Sequence, residues 1–165
     1  MSLRRLAFLA CTGILLSFSG RPLRAQPSHG YIFFAPGGIT CCHNTSMTLQ
    51  FGGGGEYVIK KGVGVGAELS VVGARQSFGD SAMGLFSPNG FYHFVHGQDI
   101  KADPFVTGGY TLLFRSYHAN LANFGGGMNY WLARRVGVRL ELRDQLNTTG
   151  TIAHFWGVRF GVAFR

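Results

Sequence analysis

Three stretches of the chain alternate in character with a period of two. In Val136-Gly-Val-Arg-Leu-Glu-Leu-Arg143, the residues Val136, Val138, Leu140 and Leu142 point one way, and Gly137, Arg139, Glu141 and Arg143 the other. From Ile152 to Phe164, the residues Trp156, Val158, Phe160, Val162 and Phe164 share a face opposite Gly157, Arg159, Gly161 and Ala163. From Val63 to Val71, the residues Val63, Val65, Ala67, Leu69 and Val71 oppose Gly64, Gly66, Glu68 and Ser70. Successive side chains of a strand project to opposite faces, so this period predicts strands lying between two different environments. Less regular stretches at 29–35, 46–59, 85–95, 104–114 and 122–132 bring the predicted strands to eight. The chain after residue 25 contains no good amphipathic helix.

The connections alternate as well. Lys60-Lys61-Gly62 and Ala133-Arg134-Arg135 read as tight turns, and His96 to Asp103 as a somewhat longer polar one. The segments Pro36–Thr45, Ala74–Gly84, Arg115–Leu121 and Gln145–Thr151 read as loops at the other end. What decides the environment is which face is apolar. The wide, continuous apolar face carries the large side chains, while the opposite face holds glycine, alanine and the charges. A soluble barrel has the reverse arrangement. Large apolar side chains outside are tolerated only in lipid or in a partner's core. The expected fold is therefore all-β: an eight-stranded antiparallel up-and-down transmembrane β-barrel, with strands of roughly nine to eleven residues crossing at a tilt.

Composition sharpens this. The chain has 165 residues, 26 of them glycine, and only 13% are charged. Soluble domains carry about twice that charged share. Arg4 and Arg5, the apolar run Leu6–Phe18 and Ala25 form a cleavable signal peptide over residues 1–25, leaving 26–165 as the barrel domain. Losing Arg4, Arg5, Arg21 and Arg24 takes the formal charge from +8 to +4. The remaining cations are scattered without a nucleic-acid-binding motif, so no nucleic-acid partner is expected. Cys41-Cys42-His43 lacks further ligands at a metal-site spacing and reads as a local loop feature. No metal and no cofactor are expected.

The last strand, Trp156-Gly-Val-Arg-Phe-Gly-Val-Ala-Phe164, resembles the C-terminal recognition strand of bacterial outer-membrane proteins. The segments Val138–Arg143 and Pro104–Tyr110 are similar to strands of small eight-stranded barrels such as the transmembrane domain of outer-membrane protein A. The resemblance covers residues 28–165. It implies export by the secretion machinery, recognition of Trp156, Val158, Phe160, Val162 and Phe164 by the barrel-assembly machinery, and residence as a monomer among outer-membrane lipid. In that family the chain usually ends on the aromatic residue, whereas here Arg165 follows. With the N-terminus in the periplasm, Tyr57, Phe94, Phe105, Tyr130, Trp131 and Phe164 are expected to form one interfacial girdle. Phe33, Phe34, Phe86, Phe114 and Phe124 are expected to form the other.

The inward faces collect Glu68, Arg139, Glu141, Arg143 and Arg159. Glu68, Glu141 and Arg159 are expected at one depth, with Glu141 and Arg159 approaching across the last two strands. An eight-stranded lumen is just wide enough to be filled by side chains. The expected role of these five is an ion-pair network that plugs it, and the alternative is a gate in a small pore. A lipid-modifying enzyme is the third reading, with Ser116, His118 and Asn120 as material. The order His118-Ala-Asn120, however, departs from the His-x-Ser-Asn of lipid A deacylases of this barrel class. No catalytic residue is assigned. The expected function is a non-enzymatic outer-membrane barrel acting through its outer loops, structurally or by surface interaction.

Overall fold

The computed structural model describes residues 28–41, 44–95, 100–115, 118–147 and 153–165. The segment read as a signal peptide lies outside these, as do Cys42, His43, His96 and Ser116. Eight strands run in chain order: β1 His29–Cys41, β2 Asn44–Lys60, β3 Val63–Ala74, β4 Met83–His93, β5 Ala102–Phe114, β6 Ala119–Trp131, β7 Val136–Asn147 and β8 Ala153–Phe164. Each pairs antiparallel with the next, and β1 pairs with β8, so the sheet closes into an up-and-down barrel. One short helix, α1 Phe78–Ser81, lies between β3 and β4. The strand number, order and closure agree with the sequence reading.

Strand ends differ from that reading in an instructive way. β1 continues through Pro36 to Cys41 and β2 begins at Asn44, so most of the expected Pro36–Thr45 loop is a strand pair. Proline lacks the N–H that a ladder needs. Pairing of β1 with β8 accordingly lapses between Phe34↔Phe160 and Gly37↔Gly157, then resumes in the same register. β4 does the same at Pro88, where pairing with β5 lapses between Phe86↔Leu112 and Asn89↔Gly109. There the Ser87 and Thr111 hydroxyls, 2.8 Å apart inside the barrel, bridge the gap. Each proline thus interrupts one side of its strand without ending it.

The β2–β3 turn shows why so tight a reversal is possible. Lys61 and Gly62 both have positive φ, 47° and 79°. Two consecutive left-handed residues are the turn geometry that matches strand twist, and glycine adopts it without a side-chain clash. The β2–β3, β4–β5 and β6–β7 connections and both described chain ends lie at one rim, the turn end. The opposite rim is the loop end.

Outside, the barrel is apolar. Ile32, Leu69 and Leu142 are each more than half exposed, at 58%, 61% and 63%. Val63, Val65 and Val71 on β3, Val136, Val138 and Leu140 on β7, and Phe160, Val162 and Phe164 on β8 are exposed on the same outward face. Among the described residues no helix is long and apolar enough to cross a membrane. The strands, at 11 to 17 residues, are all long enough to do so at a tilt.

Candidate functional site

The lumen is built in layers by strand parity. All five residues expected to face inward do so, and Glu68, Arg139, Glu141, Arg143 and Arg159 are fully buried. Two glycine clusters make room for them. Gly52 and Gly54 face inward on β2, and a Cβ at Gly54 would lie 2.8 Å from the Tyr31 hydroxyl. On β6, a Cβ at Gly127 would lie 2.2 Å from the Leu140 carbonyl oxygen. Only glycine permits that approach of β6 to β7 beside Glu141.

Glu141 pairs with both arginines of its own strand. Arg139 donates from Nε and Nη2 to Glu141 Oε2 at 3.1 and 3.0 Å. Arg143 donates from Nε to Glu141 Oε1 at 2.5 Å. Residues two apart on a strand share a face, so one carboxylate can bridge them. Glu141 and Arg159 are register partners as expected, but their closest approach is 3.7 Å. Arg159 instead pairs with Glu68 at 2.7 Å, and the Tyr31 hydroxyl donates to the same carboxylate at 3.2 Å. Arg159 thus meets both carboxylates expected near it, and the nearer is Glu68 of β3, not the register partner Glu141.

Sequence reasoning missed a second carboxylate group nearer the turn end. Glu56 Oε1 lies 2.8 Å from Arg139 Nη1. Glu56 Oε2 lies 3.1 Å from His93 Nε2 and 3.4 Å from His29 Nε2. His93 Nδ1 is 3.0 Å from both Asp103 oxygens. Both ring nitrogens of His93 therefore face carboxylates, a geometry met by the doubly protonated ring. Four carboxylates (Glu56, Glu68, Asp103, Glu141) then match three guanidiniums and one imidazolium, which is the balance a buried cluster requires. Asn129 joins the two groups by accepting from Arg139 at 3.2 Å.

The aromatic assignment needs correction at three positions. Tyr57, Phe94, Tyr130 and Phe164 are exposed on the outside near the turn end, and Phe34, Phe86, Phe114 and Phe124 towards the loop end. Phe33, Phe105 and Trp131 point inward instead and are buried. Each receives a cation on its ring. The Arg159 guanidinium lies 4.4 Å from the Phe33 centroid. That of Arg139 lies between Phe105 at 4.0 Å and Tyr31 at 4.2 Å. Arg165, the residue that follows the final strand, lies 3.7 Å over Trp131. Desolvated guanidiniums are stabilised by aromatic faces, so these rings belong to the charge cluster.

Among the described residues the lumen carries amides, hydroxyls and apolar groups towards the loop end. Asn123 donates to Asn89 and Thr111 at 2.9 and 3.0 Å, completing an amide and hydroxyl layer. Beyond it Val72, Leu85, Leu113 and Leu121 form a buried apolar cluster, with Met83, Ala119 and Phe155 against it. The five aromatic and aliphatic residues named for the assembly strand, Trp156, Val158, Phe160, Val162 and Phe164, all face outward on β8.

Of the residues weighed for an enzyme, Ser116 lies outside the described residues. Asn120 accepts a hydrogen bond from the Tyr110 hydroxyl on the outer surface, and His118 is exposed at the loop end. A polar pair that sequence reasoning did not single out sits on the outside near the same rim: His154 Nδ1 lies 2.8 Å from Asp144 Oδ2. Thr40 is the register partner of His154 on β1 and accepts from Trp156 Nε1 at 3.2 Å. Among the described residues no three metal-ligating side chains converge on a metal site.

No family model matches the chain, and no curated protein matches it in sequence. Solved structures do match. The N-terminal β-barrel domain of OprF from Pseudomonas aeruginosa aligns with a TM-score of 0.63 at 18% identity, covering 85% of this chain and 98% of that domain. Neisserial surface protein A aligns at 0.65 and 9% identity, covering 83% of this chain and 96% of the other. A de novo designed transmembrane β-barrel aligns at 0.58 and 15% identity, covering 84% and 96%. At such identities the likeness is one of architecture. With the closed strand order and the apolar exterior already described, it makes the chain's fold that of the small eight-stranded outer-membrane β-barrels.

Proposed function

We propose that the protein is a non-enzymatic outer-membrane β-barrel with a closed lumen, acting at its loop end through structural or surface interaction. The observation that carries this reading is the filling of the lumen by two unlike layers. An ion-pair network occupies the half nearer the turn end and an apolar cluster the half nearer the loop end. Water and ions would have to cross both. The apolar exterior supports a place in lipid, and the signal-like residues 1–25 support export to it. In this reading the turn end faces the periplasm, the outward face of β8 is what the assembly machinery reads, and the barrel is a monomer. The loop end offers a cleft of about 670 Å³ lined by Thr45, Ser46, Met47, Ala74, Arg75, Gln76 and Ser77.

Cell fractionation combined with a heat-modifiability gel tests the location and the barrel together. The expected result is a band in the outer-membrane fraction that shifts only after boiling. A soluble or unshifted protein would overturn the reading. Planar-bilayer recording then tests closure, and stepwise current from the unaltered protein would favour a small pore.

A lipid-modifying enzyme is the second reading, and the outward Asp144–His154 pair favours it. An imidazole oriented by a carboxylate can serve as a general base towards a lipid ester. Release of labelled fatty acid from lipid vesicles by the unaltered protein, lost in His154→Asn, would establish it in place of the first.

A further inference from the structure

The cations outside the lumen are not evenly placed. Lys60 at the end of β2 and Lys61 in the β2–β3 connection are exposed, as are Lys101 in the β4–β5 connection and Arg134 and Arg135 in the β6–β7 connection. All three connections lie at the turn end. By sequence these connections hold one acid, Asp99, and Asp103 at the start of β5 is buried on His93. The loop end is different. Its described arginines are Arg75 and Arg115, which share that rim with Asp80 and Asp144, and Arg115 donates to the Asp80 and Ala82 carbonyls.

The spacing of the cations indicates what they face. Successive turns at one rim are two strands apart, so the charge is distributed around the circumference and not gathered on one side. A partner protein or a linear polymer touches one side of a barrel, whereas a lipid leaflet surrounds it. The height agrees. Tyr57 lies three residues before Lys60 and Tyr130 four residues before Arg134, both exposed on the outside. Tyrosines mark the level of the headgroups, and long basic side chains just beyond them reach the phosphates.

We infer that Lys60, Lys61, Lys101, Arg134 and Arg135 form a ring that binds the anionic phospholipid headgroups of the leaflet at the turn end. This inference rests on the membrane-barrel reading above. Each Lys or Arg near an anionic leaflet adds a favourable attraction that acts within a Debye length.

The test uses the full barrel reconstituted in phosphatidylcholine bilayers, with spin-labelled phosphatidylglycerol and spin-labelled phosphatidylcholine as probes. The quantity read is the fraction of each probe that the protein immobilises. At low salt the anionic probe should associate about fivefold more strongly than the zwitterionic one. The preference should fall towards unity in about 1 M salt, where screening is nearly complete. Neutralising all five, by K60Q, K61N, K101Q, R134Q and R135Q, should abolish it. R134Q with R135Q alone should reduce it, and R75Q at the loop end should leave it unchanged. The salt series on the unaltered protein needs no variant to fold. Equal association of both probes with a heat-modifiable barrel overturns the ring and leaves the barrel standing, and so does a preference that survives high salt or neutralisation. Binding of soluble polyglutamate without any lipid preference also overturns it. A protein that never becomes heat-modifiable in bilayers overturns the membrane reading itself.

Discussion

Glu141 is held by two arginines of its own strand, so its removal leaves two buried guanidiniums short of a partner while Arg159 keeps Glu68. Breaking a buried pair costs about 3 to 5 kcal/mol, because the surviving charge is left desolvated. Glu141→Ala should therefore lower the urea midpoint of the barrel in detergent markedly, read by loss of the heat-modifiable band. A midpoint within error of the unaltered protein would show that the cluster contributes nothing. Glu68→Leu combined with Arg159→Met should cost clearly less than Glu68→Ala alone, since the double change removes both charges together. Equal losses would mean that the two groups act separately. The five inward charges were legible because β3, β7 and β8 alternate cleanly. Glu56, His93 and Asp103 were not. Gly52–Gly55 erases the alternation before Glu56, and Pro88 and Pro104 blur it in β4 and β5. Phe33, Phe105 and Trp131 looked like girdle residues because a ring that receives a guanidinium and a ring that meets lipid have the same one-dimensional signature.

At the scale of the element, turns and prolines were read with unequal success for a shared reason. A turn is a local property, and Lys61-Gly62 announces itself through glycine. The fate of a proline depends on which neighbour its missing donor faces, which only the assembled sheet reveals. The β2–β3 turn supplies a clean prediction. Lys61 occupies a left-handed conformation that asparagine adopts more readily. Lys61→Asn should raise stability by roughly 0.5 kcal/mol, whereas Gly62→Val should lower it by about 1 to 2 kcal/mol. Both are measurable by urea unfolding in uncharged detergent, where the lost lysine charge meets no anionic lipid. Gly127→Val belongs to the same scale. Its side chain would collide with the β7 backbone beside Glu141, so β6 and β7 should fail to pair and the heat-modifiable form should be absent after refolding.

Across the whole molecule, the proposed closure rests on a charged half and an apolar half of the lumen that follow one another along the axis. A gap in one leaves the other in place. Leu85→Ala with Leu113→Ala should hollow the apolar layer, yet bilayer current should stay at baseline because the arginines still fill the section below. Adding Glu141→Ala and Arg143→Ala should produce measurable conductance if the folded barrel survives in the heat-modifiable form. Current from the leucine variant alone would show that the charged layer does not seal. The series arrangement also explains why function is sought at the rims, where the loop-end cleft and the basic turns are the polar surfaces a partner or a lipid can reach.

The pairing of β1 with β8 has a consequence for how the molecule comes into being. Gly30 meets Phe164, so the seam joins the beginning of the described chain to its end. Contacts of such long sequence separation form slowly, since a long stretch of chain must be gathered before they return any energy. Until β8 is made and docked, β1 and β7 each lack one neighbour and remain edges with an apolar face beside them. Such edges are templates for pairing between molecules. A ribosome that stalls before Ala153, or a protease that removes β8, would leave a species whose hazard is aggregation rather than lost activity. Quality control of this protein therefore amounts to asking whether its last strand has arrived.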